Sequence, residues 1–256
     1  MRVDQHLFLT GMGGGRENER AATQARLQAF ARLVIGWRRR HVEFEIAGGR
    51  HALHAEQTKA LRIAIRLSDA GVGDYWDDVD AIVRNHLAET QLLDAAILER
   101  IASASEERPE HLRSKYPQQE TTEDAIQRSL GTFCGVSRPD CIPKPWVMQC
   151  CTGNATQGLY YAWEGILRHS GEQAEVNLLL NRASQAADVT SWLPFTGRVD
   201  IVNKALRRIA VRVPGGISRG DVRCEVDGNP RACAWAGRYL LADGLTLGQT
   251  LTLLFP

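Results

Sequence analysis

Residues 150–180 have the sequence CCTGNATQGLYYAWEGILRHSGEQAEVNLLL, and the spacing of the apolar residues changes within this stretch. Residues 157–167 have the spacing of a helix, whereas residues 176–180 are typical of a strand. We therefore place the boundary between a helical part and a strand-rich part near Ser170-Gly171. Helices followed by strands, rather than alternating with them, predict an α+β fold.

Upstream of this stretch the pattern is helical. Residues 60–67 present one apolar face that ends at Gly71 and Gly73, and a second helix is predicted from about Asp74. A third follows over residues 92–101. After a polar loop at 103–120, residues 121–124 carry a helix start signal.

Downstream, short strands are separated by turn residues such as 215–216 and 227–230. They are predicted at 199–202, 209–213, 222–226, 239–241 and 251–254. This spacing is typical of an antiparallel β-sandwich. The predicted division is an atypical N-terminal segment (1–55), a helical domain (56–170) and a β-sandwich domain (171–256).

Composition excludes several classes of function. The chain has 256 residues, of which 44% are hydrophobic and 24% charged, and a net charge of +1, so no strong field attracts nucleic acid or an anionic membrane. The sequence shows no secretory signal and no apolar run that could span a bilayer, which predicts a cytoplasmic protein. Its oligomeric state is left open.

Six cysteines are present, and in a reducing compartment they are more often catalytic or metal-binding than bridged. They are Cys134, Cys141, Cys150, Cys151, Cys224 and Cys233. A thiol near a helix N-terminus is stabilised as the thiolate, which attacks carbon and binds zinc. The adjacent pair could supply a nucleophile and a ligand, two ligands, or two small core residues.

Other side chains have two interpretations each. Asn154 could cap the helix or contact a bound ligand. Tyr160, Tyr161 and Trp163 are expected in the core, although one could stack on a ligand. Cys224 and Cys233 could face each other across a hairpin and are expected to be free thiols.

Motifs in chain order resemble glycoside hydrolase family 127, the β-L-arabinofuranosidase-like proteins. The resemblance covers about residues 56–256. It rests on the motifs at 65–68, 75–91, 150–154, 176–178, 211–214, 237–239 and 243–248. It implies an α/α helical barrel, here partial, followed by β-sandwich modules.

The resemblance also implies a retaining glycosidase whose substrate is a carbohydrate and whose cofactor is zinc. Carried over, Cys150 would be the nucleophile and a zinc ligand, and Cys151 a second ligand. Asn154 and Trp76 would contact the substrate. The alternative function is a non-catalytic carbohydrate-binding or zinc-stabilised structural remnant of the family.

Towards its N-terminus, this sequence departs from the family pattern. The family's Glu-x-Cys should fall at Leu53 and Ala55, which cannot bind a metal, so Glu56 or His54 could substitute. The acid/base would be Glu43 or Glu45. Cys134 and Cys141 could instead complete a tetrathiolate with the pair. The chain is expected to be a truncated relative or a shortened member with rearranged ligands; a misplaced start or shifted reading frame is a further hypothesis.

Overall fold

The structure is a computed structural model that describes residues 54–104, 123–133 and 149–256, besides position 25. Five α-helices are found in these ranges. They are α1 (His54–Asp69), α2 (Trp76–Ile82), α3 (Ala95–Ala104), α4 (Ala125–Ser129) and α5 (Gln149–Ile166). A π-helical turn (Val83–Leu87) and a 3-10 turn (Ala88–Thr90) continue α2. The helices predicted upstream of the boundary are thus confirmed, with shifted ends.

The end of α1 shows how the sequence sets a helix boundary. Gly71 adopts a left-handed φ of 68°, which glycine reaches without steric cost. Its N–H donates to the Ser68 carbonyl, and the next amide, Val72 N, donates to the Leu67 carbonyl, each at 3.0 Å. This pair of hydrogen bonds is a Schellman motif, and it confirms the predicted stop at Gly71.

Ten strands follow α5. They are β1 (Leu167–Ser170), β2 (Gln173–Val176), β3 (Ala187–Ser191), β4 (Arg198–Asn203), β5 (Arg208–Arg212), β6 (Arg223–Val226), β7 (Asn229–Pro230), β8 (Ala234–Ala236), β9 (Tyr239–Asp243) and β10 (Thr250–Leu254). They form two five-stranded sheets, in the orders β1-β2-β5-β9-β8 and β3-β4-β10-β6-β7. Helices plus two sheets confirm the α+β class, and two sheets are what a sandwich requires.

The strand registers bring apolar residues together on one face of each sheet. In the second sheet Val199 pairs with Leu253 and Ile201 with Leu251, and all four side chains are fully buried. In the first sheet the two inward-facing apolar side chains of β5 are fully buried as well. The core of the strand region is therefore built from alternate positions, as expected for strands with one covered face.

The expectation of purely antiparallel sheets needs one correction. Among the described strands, β2 and β5 pair in parallel, with Gln173 opposite Arg208 and Val176 opposite Val211. Parallel neighbours need a long crossover. Here that crossover, residues 177–207, leaves the first sheet and supplies β3 and β4 to the second.

Five of the predicted strands are confirmed as β4, β5, β6, β9 and β10. The strand predicted at 176–180 is wrong, because β2 ends at Val176 and the following residues bend out of the sheet. Leu178 and Leu179 are buried without being paired as a strand, so their apolar run reflects core packing.

The chain groups into two compact units. Of the described residues, one unit contains 65–80 and 160–256, and the other contains 54–64, 81–104, 123–133 and 149–159. This grouping differs from the predicted boundary at Ser170-Gly171, because residues 65–80 belong with the strands. The described helices include none that is long and apolar enough to cross a membrane.

In the second unit a small apolar cluster holds α3 and α4 together. Leu92 and Leu98 are buried, and Ile126 and Leu130 pack against them. The Asp94 carboxylate caps α3 by accepting a hydrogen bond from Ala96 N at 2.8 Å, which satisfies an amide that has no partner within the helix.

Candidate functional site

The cysteine pair lies in the first turn of α5, because this helix begins at Gln149 rather than near residue 157. The first N–H groups of a helix lack intrahelical partners, and the macrodipole is positive at this end. The backbone of both cysteines is thus helical and lies in the first described turn of α5. The side chains of Cys150 and Cys151 lie outside the described part of the structure.

Asn154 does not cap α5, so that interpretation is wrong. Asn154 lies six residues into the helix, whereas an N-cap lies just before its first residue. Its backbone carbonyl accepts a hydrogen bond from the Thr58 hydroxyl at 2.7 Å, and Thr58 is only 3% exposed. A contact between the Asn154 side chain and a sugar stays a prediction.

The Thr58–Asn154 hydrogen bond joins α1 to α5 close to the start of each helix. Gly158 permits the approach, because a Cβ there would lie 2.9 Å from the Thr58 Oγ1. Glu56 is two residues before Thr58 and Cys150 is four before Asn154, which along a helix is about 3 Å and about 6 Å of rise. Glu56 and Cys150 therefore lie no more than about 6 Å along their helices from the two residues of this contact.

A second contact lies directly after the cysteine pair. The Thr152 hydroxyl, one residue after Cys151, accepts a hydrogen bond from Phe133 N at 3.3 Å. Phe133 is buried, forms an isolated bridge with Gln91, and directly precedes Cys134 in the sequence. The described chain before Cys134 is therefore attached to the first turn of α5.

The predicted metal and acid/base groups lie outside the described side chains. This applies to Glu43, Glu45, Cys134 and Cys141 entirely, and to the side chains of Glu56, Cys150 and Cys151. Among the side chains that are described, no group of three or more His, Cys, Asp or Glu residues could hold a metal ion. The zinc ligands and the acid/base therefore stay predictions.

Trp76, predicted to contact substrate, is buried. It is the first residue of α2 and is 3% exposed. Gly165 lies against its ring, since a Cβ at that position would be 2.9 Å from Cζ3 of Trp76. An indole packed in this way has no free face for a sugar, so its burial argues against the predicted role.

Two aromatic side chains of α5 are exposed, contrary to the expectation of a core position. Tyr160 is 53% exposed and Trp163 is 43% exposed, with ring centroids 6.2 Å apart. The Arg182 guanidinium lies 4.4 Å from the Trp163 ring centroid, a cation–π contact that covers one face. The Tyr160 hydroxyl donates to the Glu164 carboxylate at 2.9 Å, so this pair forms a polar, half-exposed surface.

An ion cluster that the sequence did not indicate centres on the buried Arg212, at the end of β5. Arg212 is 4% exposed and donates from Nε to Asp74 and from Nη1 to Asp77, each at 2.8 Å. Gly215 N also donates to the Asp77 carboxylate. The segment at the start of α2 is thus tied to the end of β5, the central strand of the first sheet.

The cluster favours the charged forms of Asp77 and Arg212. Burial raises the pKa of Asp77, but the hydrogen bond and charge of Arg212 lower it by more, so this pKa lies below its ordinary value. Burial lowers the pKa of Arg212, and its bonds to Asp77 and Asp74 more than reverse this. Such mutual stabilisation is typical of a structural ion pair.

Beside this cluster, Asn177 joins the sheet to α5. It is 3% exposed, donates to the Gly165 carbonyl at 3.2 Å, and accepts a hydrogen bond from the Tyr239 hydroxyl at 2.7 Å. Burial and then the Asp74 charge raise the pKa of Tyr239, so this hydroxyl stays a donor. The segment at 176–178, used for the resemblance, therefore has a structural role here.

No protein-family model matches the chain, and no curated protein matches it either. Solved structures do match. A GH127 β-arabinofuranosidase aligns over 44% of this chain and 22% of its own, with 17% identity and a TM-score of 0.37. A structure named as a glycoside hydrolase aligns over 80% of this chain and 33% of its own, with 16% identity and a TM-score of 0.46.

A third match is a GH127 β-L-arabinofuranosidase from Geobacillus stearothermophilus T6. It aligns over 80% of this chain and 32% of its own, with 14% identity and a TM-score of 0.42. The chain thus spans about a third or less of the structures to which it is similar. Two of these structures carry the name of the family that the motifs resemble.

Proposed function

We propose that the chain is a glycosidase-like protein that resembles the retaining β-L-arabinofuranosidases, with Cys150 as its nucleophile. The observation that carries this proposal is the position of Cys150 in the first turn of the 18-residue helix α5. The positive end of the macrodipole favours a thiolate there, which is the form that attacks carbon.

The contact between α1 and α5 supports Glu56 as a partner of the pair. Because the Thr58 hydroxyl donates to the Asn154 carbonyl, the backbones of Glu56 and Cys150 lie about 3 Å and about 6 Å along their helices from the two residues of this contact. A carboxylate and two thiolates are donors that zinc accepts. Cys150, Cys151 and Glu56 would hold the ion, which when bound would favour the thiolate form of its ligands.

The proposed reaction follows the two-step retaining scheme. The Cys150 sulfur attacks the anomeric carbon, the bond to the leaving oxygen breaks, and a carboxylic acid protonates that oxygen. The resulting carboxylate then removes a proton from water, which attacks the same carbon and releases the thiolate. Glu43 or Glu45 is the proposed acid/base.

The helical half is proposed to be part of an α/α barrel, and the partner is proposed to be a carbohydrate.

A structural zinc site is the second candidate function. The bond between Phe133 and Thr152 favours it, because it attaches the residue before Cys134 to the turn that carries the pair. In that case Cys134, Cys141, Cys150 and Cys151 would form a tetrathiolate, and the chain would be a non-catalytic remnant.

Turnover of 4-nitrophenyl β-L-arabinofuranoside by the full chain tests the nucleophile. We expect Cys150→Ser to abolish release of nitrophenol with the circular dichroism spectrum unchanged. Cys233→Ser, on the strand region, is the matched control and should retain the wild-type rate. A Cys150→Ser variant as active as wild type would overturn the assignment.

Zinc content, measured by plasma mass spectrometry on the same proteins, separates the two candidates. A catalytic site with Glu56 predicts that Glu56→Gln loses zinc and activity, while Glu89→Gln, which changes an exposed glutamate, loses neither. Zinc that is retained in Glu56→Gln but lost in Cys134→Ala would indicate the tetrathiolate. No zinc and no turnover in the wild type would leave only a non-catalytic remnant.

The leaving group identifies the acid/base. A 4-nitrophenolate leaves without protonation, whereas an alkyl β-L-arabinofuranoside needs an acid. The correct variant of Glu43→Gln and Glu45→Gln should therefore lose activity on the alkyl substrate far more than on the nitrophenyl substrate. If both variants lose activity on the two substrates equally, neither residue is the acid.

A further inference from the structure

The sulfur atoms of Cys224 and Cys233 lie 2.8 Å apart, although both residues are free thiols in this structure. Cys224 lies on β6 in the second sheet, and Cys233 directly precedes β8 in the first sheet. We propose that these two cysteines are an oxidation site that forms an intrachain disulfide and covalently joins the two sheets.

The backbone between the two cysteines holds them in place. Asp227 and Gly228 have positive φ values of 51° and 76°, which is the geometry of a tight two-residue hairpin. β7 then pairs back on β6, and Arg231 N extends this ladder by donating to the Cys224 carbonyl at 2.8 Å. The approach of the two sulfurs therefore follows from the hairpin.

The register of β6 directs Cys224 inward. Cys224 lies opposite Leu253, which is fully buried, and is itself 8% exposed. Cys233, at the crossing from one sheet to the other, is partly exposed. An S–S bond is about 2.0 Å long, so a movement of under about 1 Å closes the gap.

The difference in burial sets the order of the reaction with a low-molecular-weight disulfide such as oxidised glutathione. Burial and the neighbouring Cys233 raise the pKa of Cys224 to about 12, so the partly exposed Cys233 reacts first. Its thiolate attacks the oxidant, forms a mixed disulfide and releases one glutathione thiol. Cys224 then loses its proton, attacks the Cys233 sulfur and releases the second.

The reaction balances as two protein thiols plus one glutathione disulfide giving one protein disulfide plus two glutathione molecules. The protein loses two electrons and two protons, which the oxidant gains. The product closes a ring of ten residues, 224–233. This step needs neither zinc nor a glycosidase activity, so it is independent of the proposed function.

A non-reducing tryptic map of the full chain tests the proposal directly, because cleavage after Arg223, Arg231 and Arg238 places the two cysteines on separate peptides. The peptides are CEVDGNPR (224–231) and ACAWAGR (232–238). After incubation with oxidised glutathione and alkylation of free thiols, we expect them to be joined, with a mass two hydrogens below their sum. Dithiothreitol should return both as alkylated single peptides.

Thermal unfolding of the same samples measures the effect on the fold. Closing a ten-residue ring should raise the Tm by about 5–10 °C, and Cys233→Ser should show neither the joined peptide nor this shift. The proposal is overturned if both peptides remain fully alkylated after oxidation, or if either cysteine is found joined to another cysteine of the chain instead.

Discussion

Arg212 provides the sharpest test of how the start of α2 is held to the first sheet. It is the least exposed charged residue in the described part of the chain, at 4%, whereas the side chains of its partners Asp74 and Asp77 are 39% and 45% exposed. Removing the acids therefore leaves a buried cation, while removing the arginine leaves two carboxylates that water still reaches. We predict an asymmetric loss of stability.

The magnitudes follow from this difference in burial. Asp74→Asn together with Asp77→Asn preserves the shape and the acceptor oxygens but leaves the Arg212 charge uncompensated, which costs about 3–5 kcal/mol. In Arg212→Met an apolar side chain fills the space of the arginine, and only ion pairs to partly exposed carboxylates are lost. This loss costs about 1–2 kcal/mol. The Asn side-chain oxygen at position 74 can still accept the hydrogen bond that Trp76 N donates to Asp74, so loss of that bond does not contribute.

Urea unfolding followed by circular dichroism and tryptophan fluorescence measures both variants. We expect the double variant Asp74→Asn/Asp77→Asn to be the less stable by at least about 1 kcal/mol, with unchanged m values. The converse order, with Arg212→Met the less stable protein, would show that the cluster acts through arginine packing and refute the electrostatic account.

Three further predictions concern a helix glycine, the acid group of Asp77 and a buried asparagine. The free energy of unfolding in urea should be lower for Gly165→Ala than for Gly153→Ala by about 1–3 kcal/mol. Both variants gain the helix propensity of alanine, but only the Cβ at position 165 meets the Trp76 ring, so equal stability would contradict this packing. The pKa of Asp77 in the folded protein lies below 3.8, so the ionised Asp77 stabilises the fold above about pH 4 and this stabilisation is lost in more acid solution. The difference in unfolding free energy between wild type and Asp77→Asn should therefore disappear as the pH falls from about 5 to about 2. A difference that stays constant over this range would contradict the pKa shift. Asn203 is 1% exposed and its side chain makes three hydrogen bonds to the backbone. Asn203→Ala should therefore lower the free energy of unfolding in urea by about 2–4 kcal/mol, and a loss under about 0.5 kcal/mol would mean that water replaces those bonds.

Three of the strands that the sequence analysis missed, β1, β7 and β8, carry no clear local signal. β1, with the sequence Leu-Arg-His-Ser, follows α5 without an intervening glycine or proline, so no local signal marks the change. β7 and β8 have two and three residues, too few to show a period. Their pairing is imposed by the neighbouring strands, which single-sequence patterns do not contain.

The Arg212 cluster was missed for a related reason. Alternation places Ile209 and Val211 on the inner face of β5, so Arg212 is expected to face solvent. It is buried because Asp74, 138 positions earlier in the chain, covers the other face. A charged residue in an apolar strand was the available signal, but its partner could not be identified from spacing.

The earlier start of α5 changes what the cysteine motif can do. With the helix starting at Gln149, residues 150–154 are helical rather than a flanking loop, and Asn154 contributes its carbonyl to the contact with Thr58. The positions of residues 152 and 154 are fixed by backbone and hydroxyl contacts that do not involve sulfur. A Cys150→Ser change therefore removes the thiol while leaving those contacts in place, so its effect on turnover reports the chemistry of the sulfur rather than the folding of the helix.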